Sequence, residues 1–170
     1  MGRLLSLLYG VVVYLAFLGV FLYAIAFVGG FGVPKTVDTG ASGSMGMAVA
    51  MNLGLLLLFA VQHSVMARDW FKERWTKVVP KHLERSTYVL AATAVLALIM
   101  WGWRPIPEIV WSVEGPGATV LWGVFTAGWA VVLISTFLID HFDLFGLRQV
   151  WSHFRGRSYR HPDFQTPAFY

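Results

Sequence analysis

Apolar positions run along this chain in four long blocks, with polar segments between them. The first, 4–28, carries no charged residue, and no charge occurs between Arg3 and Lys35. The second, 45–66, reads MGMAVAMNLGLLLLFAVQHSVM, and a third and fourth cover 86–103 and 118–139. A hydrocarbon layer of about 30 Å takes roughly 20 apolar residues in helical form. Inside lipid each backbone N–H and C=O must be satisfied within its own segment, so the blocks are helices and not strands. The pattern predicts an all-α polytopic membrane bundle: four transmembrane helices in one domain, 1–170. The first block also has features of a cleaved leader, with Arg3 before it and AIA at Ala24–Ala26. It is longer than the usual 7–15 residues of such leaders, and three more blocks follow, which favours an uncleaved helix.

The segments between blocks have their own periodicity. In 67–85, Trp70, Phe71, Trp75, Val78 and Val79 recur at helical spacing with charges between them, up to Pro80. In 140–170, Leu147, Val150, Trp151 and Phe154 form an apolar stripe opposite Arg148, Gln149, Ser152, His153 and Arg155. Both read as short interfacial helices with basic stems reaching outward. With the N-terminus inside, eleven lysines and arginines fall in the inner segments and two, Lys35 and Arg104, in the outer loops. The positive-inside rule therefore predicts an N-in topology with both basic segments cytoplasmic. The Gly/Ser/Thr-rich stretch near 29–46 and the proline-bearing stretch 104–118 become outer turns.

Composition agrees with this class. Hydrophobic residues make up 57% and charged residues 13%, and the mean hydropathy is +0.63. The absence of cysteine excludes disulfides, thiolate metal sites and a cysteine nucleophile. A net charge of +4 raises nucleic acid as a partner. Topology accounts for the basic residues, so no nucleic-acid binding is expected. No P-loop, Gly-x-Ser-x-Gly elbow or HExxH run is present.

Candidate chemistry lies at the inner ends of the second and fourth blocks. Gln62, His63 and Ser64 share one helical turn and cannot all face lipid comfortably. Asp140, His141 and Asp143 follow the fourth block, where acidic groups oppose the helix dipole. Pairing with Arg148 or the nearby arginines would account for them, and so would a functional site. Asp140, His141 and Asp143 are too close in sequence to wrap a metal ion, so no metal is expected. His63 and His141 would border one cytoplasm-facing cavity if their helices converge. An alternative is that the same two histidines ligate haem from opposite sides; another is a bundle without chemistry.

Several stretches together carry a family likeness: QHSVMAR with the following WFKERW, then ERSTYVL, GWAVVLISTFLIDHFDLFGLRQVW and the terminal TPAFY. The chain resembles methanethiol S-methyltransferases, bacterial membrane enzymes of the wider isoprenylcysteine carboxyl methyltransferase group, to which NnrU-like proteins are also similar. The likeness covers essentially the whole chain and is most specific at Asp140–Trp151. It implies methyl transfer from S-adenosylmethionine to methanethiol, giving dimethyl sulfide, in the bacterial inner membrane. On that reading the catalytic candidates are His63, His141 and Asp143, and Gln62, Asp140, Arg148 and Gln149 line the thiol pocket. The family's Arg-His-Pro-x-Tyr-x-Gly cofactor signature follows a tyrosine placed like Tyr170, which is itself a cofactor-binding candidate. The RHP at Arg160–Pro162 is followed by Asp163, Phe164 and Gln165, without the Tyr and Gly. The expectation is an N-terminal portion that stops before its cofactor-binding part and is inactive alone.

Overall fold

The computed structural model describes residues 2–41, 43–106, 108–109 and 112–160. Among them all regular structure is helical: α1 (Arg3–Gly29), α2 (Met45–Met66), α3 (Asp69–Trp75), α4 (Lys81–Gly102), α5 (Pro116–Ile139), α6 (His141–Leu144) and α7 (Leu147–Phe154). Helices α1, α2, α4 and α5 are long and apolar enough to cross a membrane. The second block matches α2 residue for residue. The third helix starts earlier than its apolar block, because Pro80 sets its N-terminus and Lys81–Arg85 continue it into the polar zone. Segment 67–85 is therefore divided between the seven-residue α3 and the first turn of α4, with no long interfacial helix between them.

Side-chain pairs fix the arrangement. Helices α1 and α4 run parallel, with Ser6 Oγ 3.0 Å from His82 Nε2 and Tyr9 OH 3.0 Å from Thr87 Oγ1. Helix α2 is antiparallel to α4. Tyr88 meets His63 at one end. At the other, Asn52 donates to the Arg104 carbonyl (2.8 Å) and accepts from its N–H (2.9 Å). Helix α5 is antiparallel to α1 and meets it through rings, Phe21 on Trp129 and Phe31 on Trp122. No residue of α5 is buried. Residues 67–85 and 140–160 thus lie at the end of the bundle that carries Arg3.

Helix α7 is packed into the bundle at its basic end. Its Val150 is fully buried and sits where a Cβ on Gly10 of α1 would meet Val150 Cγ2 at 2.6 Å. The loop before α7 is equally close to α4: a Cβ on Gly146, whose φ is +84°, would lie 2.7 Å from Ser86 N. The amphipathic stripe read from sequence is real, and α7 packs against both α1 and α4 with Val150 of its apolar side fully buried. Trp151 alone of the stripe is half exposed, with Arg155 over its ring.

Gly146→Ala is expected to lower stability by about 1–3 kcal/mol, since it adds backbone strain and a clash with Ser86. Gly128→Ala in α5 has open space around it and is expected to be neutral or slightly stabilising. Thermal unfolding of both variants in one detergent checks the contrast.

Candidate active site

The α5–α6 junction places His141. Asp140 has φ 138° and ψ 88°, the one left-handed non-glycine residue among those described. Such a conformation costs about 1–3 kcal/mol. Two contacts hold it: Asp140 Oδ1 accepts from Asp143 N at 3.2 Å, and Oδ2 pairs with Arg148 at 2.7 Å. The turn directs the His141 ring inward, where it is only 6% exposed. It stacks on Phe137 at 4.2 Å and lies against Phe145 at 4.8 Å.

The hydrogen bonds of His141 assign its tautomer. Thr136 Oγ1 donates its proton to Leu133 O at 2.7 Å, so it accepts from His141 Nδ1–H at 2.8 Å. Nε2 is then the bare nitrogen and accepts from Tyr14 O–H at 2.8 Å. Burial depresses the pKa of His141 below its ordinary 6.5, because the charged ring would be desolvated. The result is a neutral imidazole with one lone pair covered by a phenol.

His63 is held differently. Tyr88 OH lies 3.0 Å from both of its ring nitrogens, and Phe59 stacks on it at 5.3 Å. Between the two histidines stands a packed cluster of Val13, Tyr88 and Val89 with Phe17, Met66 and Phe145 around it. Neither imidazole touches the other among the described residues. Gln62 turns along its own helix to Met66 Sδ, leaving its Oε1 buried without a partner.

Asp143 and Gln149 belong to a separate cavity of about 440 Å³ at the basic end, lined also by Lys72, Glu84, Arg85 and Tyr159 among others. Asp143 is 9% exposed, and its Oδ1 accepts from Tyr159 O–H at 2.5 Å and from Gln149 Nε2 at 3.2 Å. Burial and then the Asp143 bond push the Tyr159 phenol well above its ordinary range. Arg85 donates through Nε to Leu144 O at 2.8 Å and rests over the Tyr88 ring. Neither His63 nor His141 lines this cavity, and Asp140 and Arg148 pair with each other outside it. The candidate sites are therefore two: a buried, hydrogen-bonded His141–Tyr14–Thr136 set and a charged cavity walled by Asp143, Gln149 and Arg85. Tyr14, Tyr159 and Arg85 were not singled out from sequence; each is an ordinary aromatic or basic residue until its distant partner is known. Tyr170 and the His161–Pro162 part of RHP lie outside the described residues. Among the described residues no three His, Asp or Glu side chains group as metal ligands.

Similarity to known proteins extends over the same residues. Methanethiol S-methyltransferase of Mycobacterium tuberculosis is 52% identical over 171 residues, covering all of this chain and 70% of that protein. The chain belongs to the methanethiol S-methyltransferase family. Its member in Crocosphaera subtropica is 46% identical, with 67% of that protein covered. Methanethiol S-methyltransferase 1 of Bradyrhizobium diazoefficiens is 52% identical, with 59% covered. The chain thus spans between about three fifths and 70% of these relatives' lengths. Human nurim is a more distant relative, 36% identical over 115 residues, or 64% of this chain and 44% of nurim. No family model matches the chain, and no solved structure does.

The depressed pKa of His141 has a stability consequence with a definite sign. The unfolded histidine takes a proton near pH 6.5 and the folded one only at lower pH. Stability contributed by this site is complete above pH 6.5 and is lost as pH falls from there towards the folded pKa. Thermal unfolding in detergent from pH 8 to pH 5 is expected to show that decline. His141→Gln, which cannot take the proton, is expected to flatten it.

Proposed function

We propose that this chain forms the membrane-embedded, thiol-handling portion of an S-adenosylmethionine-dependent methanethiol S-methyltransferase of the bacterial inner membrane. The observation that carries the proposal is identity of 52% across the whole chain to proteins of that name. The geometry supports it with a neutral, water-shielded base. The charged cavity at the basic end suits a polar methyl donor, since it offers both signs of charge and a buried amide oxygen, Gln149 Oε1, with no partner. When bound, such a donor supplies an electron-poor methyl carbon on a sulfonium.

The chain's part in the reaction is to deliver and deprotonate the thiol. A cysteine thiol ordinarily holds its proton to about pH 8.5 and a simple alkanethiol to higher pH still, whereas His141 sits below 6.5. The imidazole is therefore too weak to free a thiolate in advance, and proton removal must accompany formation of the S–C bond. The route available is a relay: the thiol proton passes to Tyr14 O while the Tyr14 proton passes to His141 Nε2. Thr136 holds the ring so that Nε2 faces the phenol. Apolar rings of Phe137, Phe145 and Phe17 keep water from the sulfur, which sharpens its nucleophilicity. His63, bonded to Tyr88 on the other side of the cluster, is a second candidate base. His63 and His141 each already bond a tyrosine, which disfavours the haem alternative.

A radiolabelled methyl-transfer assay with S-adenosylmethionine and methanethiol tests the reading. The chain alone is expected to show no turnover, and a chimera adding the part of the Mycobacterium tuberculosis relative that it does not cover is expected to be active. In the chimera, His141→Ala is expected to lower kcat/KM by about 100-fold or more, and the acid limb of kcat/KM should lie below pH 6.5. An active chain alone, or an unaffected His141→Ala chimera, would overturn the corresponding claim.

Orientation has its own test, because the chain lacks cysteine. Asp38→Cys is expected to react with a membrane-impermeant maleimide on intact cells. Lys77→Cys is expected to react only after permeabilisation.

A further inference from the structure

The cavity at the basic end contains an uncompensated polar set. Arg85 spends its Nε–H on the Leu144 carbonyl. No carboxylate among the described residues lies within ion-pair distance of it; the ion pairs at this end of the bundle, Lys72–Asp69 and Arg148–Asp140, do not involve it. The two terminal nitrogens of the guanidinium form the fork that matches a carboxylate. Nearby, Gln149 is 6% exposed, and its Nε2 is turned to the Asp143 main-chain and side-chain oxygens. Both of those atoms are acceptors, so the amide orientation is fixed and Oε1 is left as a buried acceptor without a donor. A buried acceptor left unpaired is costly, and a bound N–H would relieve it. Asp143 adds a carboxylate beside that acceptor.

An unpaired cationic fork and an unpaired acceptor backed by a carboxylate, in one cavity, suit a ligand carrying both signs of charge on adjacent atoms. We propose that Arg85 and Gln149, with Asp143, form a subsite for an α-amino-acid head group, the carboxylate on the Arg85 fork and the ammonium on Gln149 Oε1 and Asp143. Its source is either the aminoacyl end of the sulfonium methyl donor or a free amino acid. The former assignment rests on the function proposed above; the subsite itself does not. Recognition of the donor would then be divided, with its amino-acid end read by this portion of the enzyme.

Equilibrium binding to the full chain in nanodiscs, with radiolabelled L-methionine as probe, tests this. S-Adenosylhomocysteine, methioninol, N-acetylmethionine and adenosine serve as competitors. Saturable methionine binding is expected, with methioninol and N-acetylmethionine about tenfold or more weaker, because each lacks one of the two charges. Arg85→Gln is expected to weaken methionine about tenfold and to erase the preference over methioninol, and Arg85→Lys to retain part of it. If Arg85→Gln does not fold, the ligand series on the unaltered chain still decides. No saturable methionine binding, or equal binding of methioninol and N-acetylmethionine, overturns the subsite. Competition by adenosine alone also overturns it, while leaving the methyl-donor reading intact. Methionine binding without competition by S-adenosylhomocysteine supports the subsite and removes this cavity from the methyl-donor reading.

Discussion

Parallel packing of α1 on α4 is the contact on which the rest of the structure depends. Within an apolar slab there is no hydrophobic gain in bringing two helices together, so close approach and hydrogen bonds must supply the preference. Here small and polar groups do so: buried Ser6 reaches His82, Tyr9 reaches Thr87, and Gly10 leaves room for Val150. A stripe of this kind specifies register, because sliding either helix by one residue strands several polar groups in an apolar surround. With α1 and α4 fixed, α2 follows on α4 through Asn52 and Tyr88, and α7 is drawn into the groove at the basic end. Helix α5 is left outside this packed unit, tied to α1 by rings and to α6 by the turn at Asp140.

That hierarchy explains where the candidate site sits. The His141 ring belongs to neither the packed trio nor the mobile choices of a long loop. It is held between Tyr14 of α1 and Thr136 of α5, so its position reports the spacing of those two helices. Asp140 absorbs the mismatch in a left-handed conformation that Gly or Asn adopts more readily. A strained residue flanked by a buried, neutral imidazole is the pattern expected where local stability has been traded for geometry. The ion pair with Arg148 is half exposed and contributes little by itself; its value lies in holding the turn.

Much of the fold was legible in the sequence because hydropathy and length are local properties. The second block gave α2 to the residue, and the first and fourth fell within two residues of α1 and α5 at either end. The third did not, because Lys81, His82, Glu84 and Arg85 are good helix residues that no apolar window includes. Helix α7 was read correctly as amphipathic, but its packing against α1 and α4 was not legible, since periodicity reports a face but not what covers it. The site was less accessible for the same reason. His63 and His141 stood out as polar residues at membrane depth, but Tyr14 lies 127 residues from His141 and Tyr88 lies 25 from His63. Among several tyrosines near interfaces, nothing local marks those two. The Asp140–Arg148 pairing was anticipated as the plain explanation for one acidic group, and it accounts for Asp140 while leaving Asp143 to Tyr159 and Gln149.

The division between a buried base and a charged cavity also constrains how the two could cooperate. Arg85 lies over Tyr88 while lining the cavity, and Tyr88 belongs to the cluster whose Phe145 touches His141. A ligand charge placed on Arg85 would therefore be one aromatic layer from the His141 ring, near enough to bias its packing. Such shielding would suit the methyl transfer to a thiol proposed above. The reacting sulfur gains nucleophilicity by losing water, whereas a donor with an amino-acid end must keep its charges paired. Methyl transfer is an in-line displacement, so the thiol sulfur and the donor's methyl carbon would have to meet in one space, reached from the charged cavity on one side and from His141 on the other.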